Sequence, residues 1–155
     1  MIQKKDLQII SNLRADSRQT LTDISKKTKI PISTIYDRLK ANEGNLIKRH
    51  TCLLDFDMLG FTTRAKVLLR VDKSVREETK EYLMKHRNIN TLEKINNNYD
   101  FLFEVVFRQI KELEDFLEQL EEKFKVKSKQ VFYVIEDVKR ESFLTEPEML
   151  DVLEF

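Results

Sequence analysis

Residues 20–40 read TLTDISKKTKIPISTIYDRLK and contain the start signals of two short helices. Thr20 followed three residues later by Asp23 resembles a capping box with Asp in place of Glu, which predicts that a first helix begins directly after Thr20. A short turn is expected around Lys29, and Pro31 suits the first positions of a second helix. Two short helices with a tight connection are typical of a helix-turn-helix, and a plain helical hairpin has the same pattern.

The second helix has two chemically different sides. Its apolar residues recur at helical spacing and predict the side that packs inward: Ile32, Ile35 and Leu39. Its outward side carries small polar, acidic and basic residues: Ser33, Thr34, Asp37, Lys40 and Ala41. A helix of this kind suits a DNA major groove, so the stretch alone leaves two interpretations open, a DNA reader and an ordinary helical hairpin.

The composition limits the number of domains, the location and the kinds of site that the chain can have. The chain has 155 residues, 41% hydrophobic and 35% charged, which is enough for one ordinary domain or two small ones. No apolar run approaches the ~20 residues that cross a bilayer, and the first ten residues lack a signal-peptide core, so we expect no membrane contact. The single Cys52 cannot form an intramolecular disulfide, which predicts a cytoplasmic location. Together with His50 and His86 it makes too scattered a set for a metal site, and we expect neither metal nor cofactor.

Charge is unevenly distributed along the chain. Residues 1–50 contain 11 Lys and Arg against 5 Asp and Glu, a difference of +6, whereas residues 51–155 contain 17 against 22, a difference of −5. Basic charge supplies most of the affinity of a protein for nucleic acid, because neutralised phosphates release counterions. An ordinary solvated surface is the alternative explanation of such an imbalance. Its coincidence with the helix-turn-helix pattern favours double-stranded DNA as the partner.

The flanking residues complete a predicted DNA-binding domain over residues 1–54. Its other parts are a helix from Lys4 to about Ala15, a stop signal at Glu43-Gly44-Asn45, and two short extended runs at 46–49 and 51–54. The extended runs are consistent with a small β-wing beside the helices. Lys48 and Arg49 on this wing are either contacts to a DNA backbone or ordinary solvated charges.

A second domain is predicted over residues 62–140, after a connector at 55–61. Its elements are strand 63–71, a helix from a capping box at Ser74–Glu77 to about His86, strands 89–95 and 100–107, a helix 109–124 and strand 126–136. The order β-α-β-β-α-β is that of ferredoxin-like folds. The fold class is therefore α+β, a winged helix-turn-helix followed by a ferredoxin-like domain. The sequence does not place the acidic and apolar tail at 141–155.

One face of this sheet has no helix to cover it. Apolar residues that fall there, depending on register, are Leu68, Leu102, Val106, Phe132 and Val134. Exposed apolar surface of this kind usually marks a partner interface. We therefore expect a homodimer or a higher oligomer, with the dimer formed through the C-terminal sheets. Such a dimer would present two recognition helices to successive major-groove faces.

The combined pattern resembles the Lrp/AsnC family of transcription regulators. The resemblance covers Lys5 to about Lys139 and is carried by DLQIISNLRADSR at 6–18, LTDISKKTKIPISTIYDRLK at 21–40, LIKRHTCLLDFDMLGF at 46–61 and NNNYDFLFEVVF at 96–107. It implies transcription regulation by a DNA-binding dimer. Candidate DNA-contacting residues are Ser33, Thr34, Tyr36, Asp37, Arg38, Lys40, Lys48 and Arg49. Asp37 either accepts from cytosine or pairs with Arg38.

The resemblance also implies a small-molecule effector near the loop that precedes the third strand. The candidate effector-binding residues are Asn97, Asn98, Tyr99 and Asp100. The sequence departs from the family here, because Asn97 stands where a Gly usually precedes the Tyr-Asp pair. Lys29 likewise stands where a turn Gly is frequent.

Two other functions use a similar plan. Some haem-biosynthesis decarboxylases resemble it, but a tetrapyrrole-modifying enzyme needs cationic residues and His around its substrate. His50 and His86 lie in no recognisable catalytic constellation, so we predict that the chain is not an enzyme. An architectural DNA binder without base preference is the second alternative. A specific regulator should prefer its own site over random DNA by ~1000-fold or more.

Overall fold

The structure is a computed structural model that describes residues 2–152. The chain divides into two compact units, one containing the residues up to Leu53 and those from Val138 onward, the other Leu54–Asp137. The first unit contains three helices: α1 at Lys4–Ala15, α2 at Leu21–Thr28 and α3 at Ile32–Asn42. The predicted start of α2 is confirmed, because the Thr20 hydroxyl accepts a hydrogen bond from the Asp23 backbone at 3.1 Å.

Four isoleucines form the core of the three helices: Ile9, Ile24, Ile30 and Ile35. Leu39 packs against this core from α3, as its spacing predicts. The inward placement of Ile32 is wrong, since this side chain is 46% exposed. Ile30, in the turn before Pro31, is only 4% exposed and occupies the core position that the pattern gave to Ile32.

The segment after α3 differs from the expected wing. Gly44 has φ +76°, as a stop signal requires, and a single isolated bridge joins Glu43 to Ile47. Residues 48–54 all lie in the described part of the chain, and none of them belongs to a strand. A strand needs a neighbour for its ladder of hydrogen bonds, and between α3 and residue 54 the Glu43–Ile47 bridge is the strand-type pairing that the structure shows.

The second unit is a four-stranded sheet with two helices. Its elements are β1 at Thr63–Val71, α4 at Arg76–Lys85, β2 at Ile89–Lys94, β3 at Phe101–Phe107, α5 at Ile110–Lys123 and β4 at Val126–Tyr133. The strand order is β2-β3-β1-β4, with antiparallel pairs throughout. The predicted ferredoxin-like topology is confirmed. Strand β4 ends at Tyr133, before the expected end near Glu136.

Alternation along the strands builds the core of this unit. The inward residues of β1 and β3 are all buried: Ala65, Val67, Leu69, Val71, Phe101, Phe103, Val105 and Phe107. Helix α5 covers them with the residues predicted for its apolar side, among them Leu113, Phe116 and Leu120, each at most 4% exposed. From α4, Leu83 is fully buried. Side chains that recur every two residues on the strands and every 3.6 residues on α5 therefore pack together in one core.

Helix α4 does not begin with the predicted Ser74–Glu77 capping box. A 3-10 turn at Lys73–Val75 precedes it, and the helix begins at Arg76. The Asp72 carboxylate accepts hydrogen bonds from the Ser74 backbone at 3.0 Å and the Ser74 hydroxyl at 2.8 Å. Because Ser74 is a donor to Asp72, Asp72 provides the cap instead.

The other sheet face is open in the single chain. Register places Leu68 opposite Leu102 and Lys66 opposite Phe132. Phe132 is 53% exposed, whereas Val106 is nearly buried. The face also carries charge, since Arg64 lies between Glu104 and Asp137 and forms ion pairs with both. The expected apolar residues are thus present on this face, and they share it with ionic groups that include Lys66.

The tail, which the sequence leaves unplaced, packs on α1. The Arg14 guanidinium donates to the backbone oxygens of Phe143 and Glu141 at 3.0 and 2.9 Å, and it pairs with the Glu141 carboxylate at 3.3 Å. A 3-10 segment at Pro147–Val152 follows, in which Leu150 is 6% exposed. Residues 153–155 of the tail lie outside the described residues, as does Met1 of the first domain.

Candidate nucleic-acid interface and effector region

Local signals fix the position of α3 relative to α2. Lys29 adopts the left-handed conformation at φ 60°, which turns the chain sharply after α2. The Ser25 hydroxyl donates to the Ile30 carbonyl at 2.6 Å, and the Thr28 hydroxyl donates to the Ile24 carbonyl at 2.8 Å. These bonds hold the turn closed, so the buried Ile30 leads directly into α3.

Four of the predicted DNA-contacting residues form one exposed stripe on α3. Ser33, Tyr36, Asp37 and Lys40 are all exposed, and their spacing of i, i+3, i+4 and i+7 places them on the same side of the helix. Within the part of the chain that the structure describes, their side chains have no hydrogen-bond or ion-pair partner. The stripe is therefore available to an external partner.

Thr34 and Arg38 lie beside this stripe and are partly buried. The Arg38 guanidinium donates to the Asp6 carboxylate at 2.9 Å and also to the Gln3 side-chain oxygen. Arg38 therefore pairs with Asp6 of α1, and the expected alternative of a pair with Asp37 is not formed. The contact fixes α3 to the start of α1.

Asp6 is the acceptor of a small polar network that the sequence analysis missed. Its side chain is 7% exposed and also accepts bonds from the Gln3 backbone at 2.8 Å and Asn42 at 3.3 Å. Burial alone raises the pKa of Asp6, but the Gln3 and Arg38 hydrogen bonds, the Arg38 charge and the Asn42 bond together lower it below its ordinary value. The available signal was an acidic residue in the first turn of α1.

The predicted wing residues are also exposed. Lys48 and Arg49 follow the isolated bridge, and the Lys48 ammonium lies 3.5 Å from the Gly44 carbonyl oxygen. Both cations are in the same unit as α3. They belong to the basic first third of the chain and suit contacts to phosphate rather than to bases.

The predicted effector loop lies at the turn between β2 and β3. Asn97 and Asn98 both have positive φ, at 61° and 68°, and both are exposed. Asn therefore maintains the left-handed backbone that Gly adopts without strain. The Tyr99 hydroxyl lies 3.5 Å from that of Ser128 on β4.

Asp100 has a different environment from the rest of the loop. It is 9% exposed, and its carboxylate accepts from the Val71 backbone at 2.9 Å and pairs with Arg76 at 2.7 Å. It thereby connects β3 to the end of β1 and the start of α4. A carboxylate with these partners is suited to a structural role beside the exposed Asn97 and Asn98 and the partly buried Tyr99.

A shallow cavity of about 230 Å³ lies elsewhere in the second unit. Its lining consists of Phe56, Leu59, Phe61, Arg87, Asn88, Ile89, Asn90 and Val106. None of the four predicted effector residues lines it. Within residues 2–152, no three His, Cys, Asp or Glu side chains are grouped to hold a metal ion. No helix in the same range has the length and apolarity to span a bilayer.

Both units match known protein families. A family model described as a winged helix-turn-helix DNA-binding domain matches residues 2–41, and the Lrp/AsnC ligand-binding domain matches residues 64–144. The HTH-type transcriptional regulator FL11 of Pyrococcus horikoshii is 31% identical over 114 residues, which cover 73% of this chain and 76% of that protein. LrpC of Bacillus subtilis is 26% identical over 113 residues, 72% of this chain and 78% of its own.

Solved structures show the same fold. B. subtilis LrpC superposes with a TM-score of 0.79 at 21% identity, covering 90% of this chain and 97% of the other. A transcriptional regulator of Neisseria meningitidis in complex with L-Met gives a TM-score of 0.81 at 19% identity, with coverages of 90% and 94%. The chain therefore belongs to the Lrp/AsnC family of transcription regulators, with an N-terminal helix-turn-helix for DNA binding and a C-terminal ligand-binding domain.

Proposed function

We propose that this chain is a homodimeric regulator that binds specific DNA sites through the exposed stripe of α3. The observation that carries the proposal is the stripe of Ser33, Tyr36, Asp37 and Lys40, four exposed side chains without partners in the described chain. The excess of +6 charges in residues 1–50 supports a polyanionic partner. Lys48 and Arg49 add phosphate contacts, and Arg38 acts as a positioning residue through Asp6.

Fluorescence anisotropy with labelled duplex DNA at several salt concentrations tests DNA binding. A Lys40→Ala variant loses one phosphate contact, so the slope of log affinity against log salt falls by about 0.9. Lys85→Ala is the matched control, because Lys85 is exposed on α4 in the other unit. A salt slope near zero for the unaltered protein refutes the proposal. Competition with random DNA separates a regulator from an architectural binder, which shows no preference.

The homodimer is proposed to form through the open sheet face. Phe132 is the most exposed apolar residue on that face, and Phe132→Glu places a charge where two apolar surfaces would meet. Light scattering should show a monomer for this variant and a dimer for the unaltered protein. Met84→Glu is the control, because Met84 is an exposed side chain on α4, and it should leave the mass unchanged. A monomeric mass for the unaltered protein up to sub-millimolar concentration refutes the dimer.

An effector of amino-acid type is proposed to contact the loop formed by the exposed Asn97 and Asn98 and the partly buried Tyr99, with Asp100 holding the loop in place. The N. meningitidis structure with L-Met supports this class of ligand. Calorimetric titration with L-methionine and other amino acids tests it. Binding should weaken at least tenfold in Asn98→Ala and remain in Asn90→Ala. Heat signals that are equal in both variants place the ligand elsewhere.

A further inference from the structure

Two apolar side chains interrupt the polar surface of α3. Ile32 is 46% exposed and Tyr36 is 55% exposed. Tyr36 belongs to the exposed stripe of α3, and Ile32 lies four positions before it, so the two side chains lie one above the other on the helix surface. The core beneath is already filled by Ile30 and Ile35. The pair is therefore an apolar contact surface on the helix that is proposed to enter DNA.

The basic residues of α3 leave this surface little capacity to read guanine. Arg38 is the only arginine in the α3 sequence, and its guanidinium is engaged by Asp6 and Gln3. A bidentate arginine is the commonest reader of guanine in the major groove. Lys40 is the remaining cation of α3 and lies in its last turn, whereas recognition helices contact bases mainly with their N-terminal residues.

The chemistry of the pair selects one feature of DNA. In the major groove the apolar group on a base edge is the 5-methyl group of thymine. We propose that Ile32 and Tyr36 contact thymine methyl groups and make A·T pairs the preferred bases at those positions of each half-site. The inference rests on the proposed insertion of α3 into the major groove. The net charge of +6 in residues 1–50 favours DNA over a second copy of this chain as the occupant.

The expected change in DNA affinity follows from the size of one methyl group. Burial of one such group contributes about 0.8 kcal/mol, which corresponds to a fourfold change in affinity at about 0.59 kcal/mol for RT. Replacing a contacted thymine by uracil removes only that methyl. We expect about a fourfold loss for each contacted thymine and about fifteenfold when equivalent thymines in both half-sites are replaced.

The test begins with selection of duplexes from a randomised library made with natural thymine. An enriched duplex is then remade with uracil at one thymine position at a time, and its affinity is measured at fixed salt. The measured quantity is the ratio of the affinity for the thymine duplex to the affinity for the duplex with uracil at one position. Ile32→Ala and Tyr36→Ala should each reduce this ratio to about one at the position that the side chain contacts. Tyr36→Phe keeps the ring and should keep the ratio. Ser33→Ala removes a polar side chain from the same stripe and should keep the ratio, whatever its effect on the affinity itself. Circular dichroism verifies that each variant is folded.

Several results would overturn the inference. The first is an unaltered protein that binds every uracil-substituted duplex as tightly as the thymine duplex, a measurement that needs no variant. The second is a ratio that survives in the Ile32→Ala/Tyr36→Ala double variant. The third is a change of oligomer mass in these variants with an unchanged ratio, which would assign the pair to contact with a second copy. If Lys40→Ala lowers the salt slope by about 0.9 while the unaltered protein binds thymine and uracil duplexes equally, the proposed function stands and this inference fails. If the unaltered protein binds no duplex at all, both fail.

Discussion

Replacement of Arg38 by Ala separates a structural from a DNA-contacting role for this residue. In the structure its guanidinium lies 2.9 Å from an Asp6 carboxylate oxygen, and the two side chains are 26% and 7% exposed. The variant leaves Asp6 nearly buried without its cation. Two of the causes that lower the pKa of Asp6 disappear, so that pKa should rise toward or above its ordinary value.

The partly buried environment of the Arg38–Asp6 pair determines how much stability Arg38→Ala loses. Removing one partner of a fully buried ion pair costs about 3–5 kcal/mol. Asp6 keeps its bonds from Gln3 and Asn42, and water reaches the partly exposed Arg38. We therefore expect a loss of about 2 kcal/mol in the free energy of unfolding. For a chain of this size this corresponds to a fall in melting temperature of about 4–8 °C.

Thermal melts followed by circular dichroism give the stability, with Asp6→Asn as the companion variant. In the Asp6→Asn background, Arg38→Ala should cost under about 1 kcal/mol, because no unpaired carboxylate remains. DNA binding by Arg38→Ala should weaken with an unchanged salt slope, since α3 is displaced but no phosphate contact is lost. A variant as stable as the unaltered protein, with a slope reduced by about 0.9, would show that Arg38 contacts phosphate and that our reasoning is wrong.

Three further predictions concern stability. Asp100→Ala should cost about 2 kcal/mol, because the Val71 backbone donor and Arg76 lose their shared acceptor; denaturation in urea measures it, and a neutral result contradicts the structural role. Leu150→Ala should cost about 2–3 kcal/mol and accelerate proteolysis of the tail, whereas Arg14→Ala on the surface should cost under about 1 kcal/mol; equal effects would count against packing of the tail on α1. Hydrogen bonds from the Ser74 backbone and hydroxyl and from Lys127 lower the pKa of Asp72 far below 3.8. The stability that the Asp72 carboxylate contributes is therefore present above pH 3.8 and is lost as pH falls toward the lowered pKa. Asp72→Asn should make the melting temperature depend less on pH below about 4, and an unchanged acid profile would contradict this.

The first unit contains residues from both ends of the chain. The tail from Val138 onward belongs to the unit that contains α3, so the chain passes from the DNA-binding unit to the ligand-binding unit and back. Two chain segments therefore connect the units. Arg14 and Leu150 anchor the returning segment on α1.

Short-range patterns allowed much of the fold to be predicted. The Thr20 cap, the alternation of β1 and β3 and the apolar side of α5 depend on residues within a few positions of one another. Such signals determine helix starts and inward faces before any long-range contact forms. The ferredoxin-like order followed from their sequence along the chain. The exposed stripe of α3 was likewise predictable, since it lies opposite its buried Ile35.

The sequence by itself determined the elements, their order and the basic character of the first 50 residues. Only the tertiary structure decided which side chains meet across long separations: Arg38 with Asp6, Asp100 with Arg76, and Arg14 with Glu141. It also showed that Ile30 occupies the core and that Ile32 remains exposed. These outcomes depend on which helix surfaces come into contact, and a local pattern carries no information about a partner that lies 24 or more positions away.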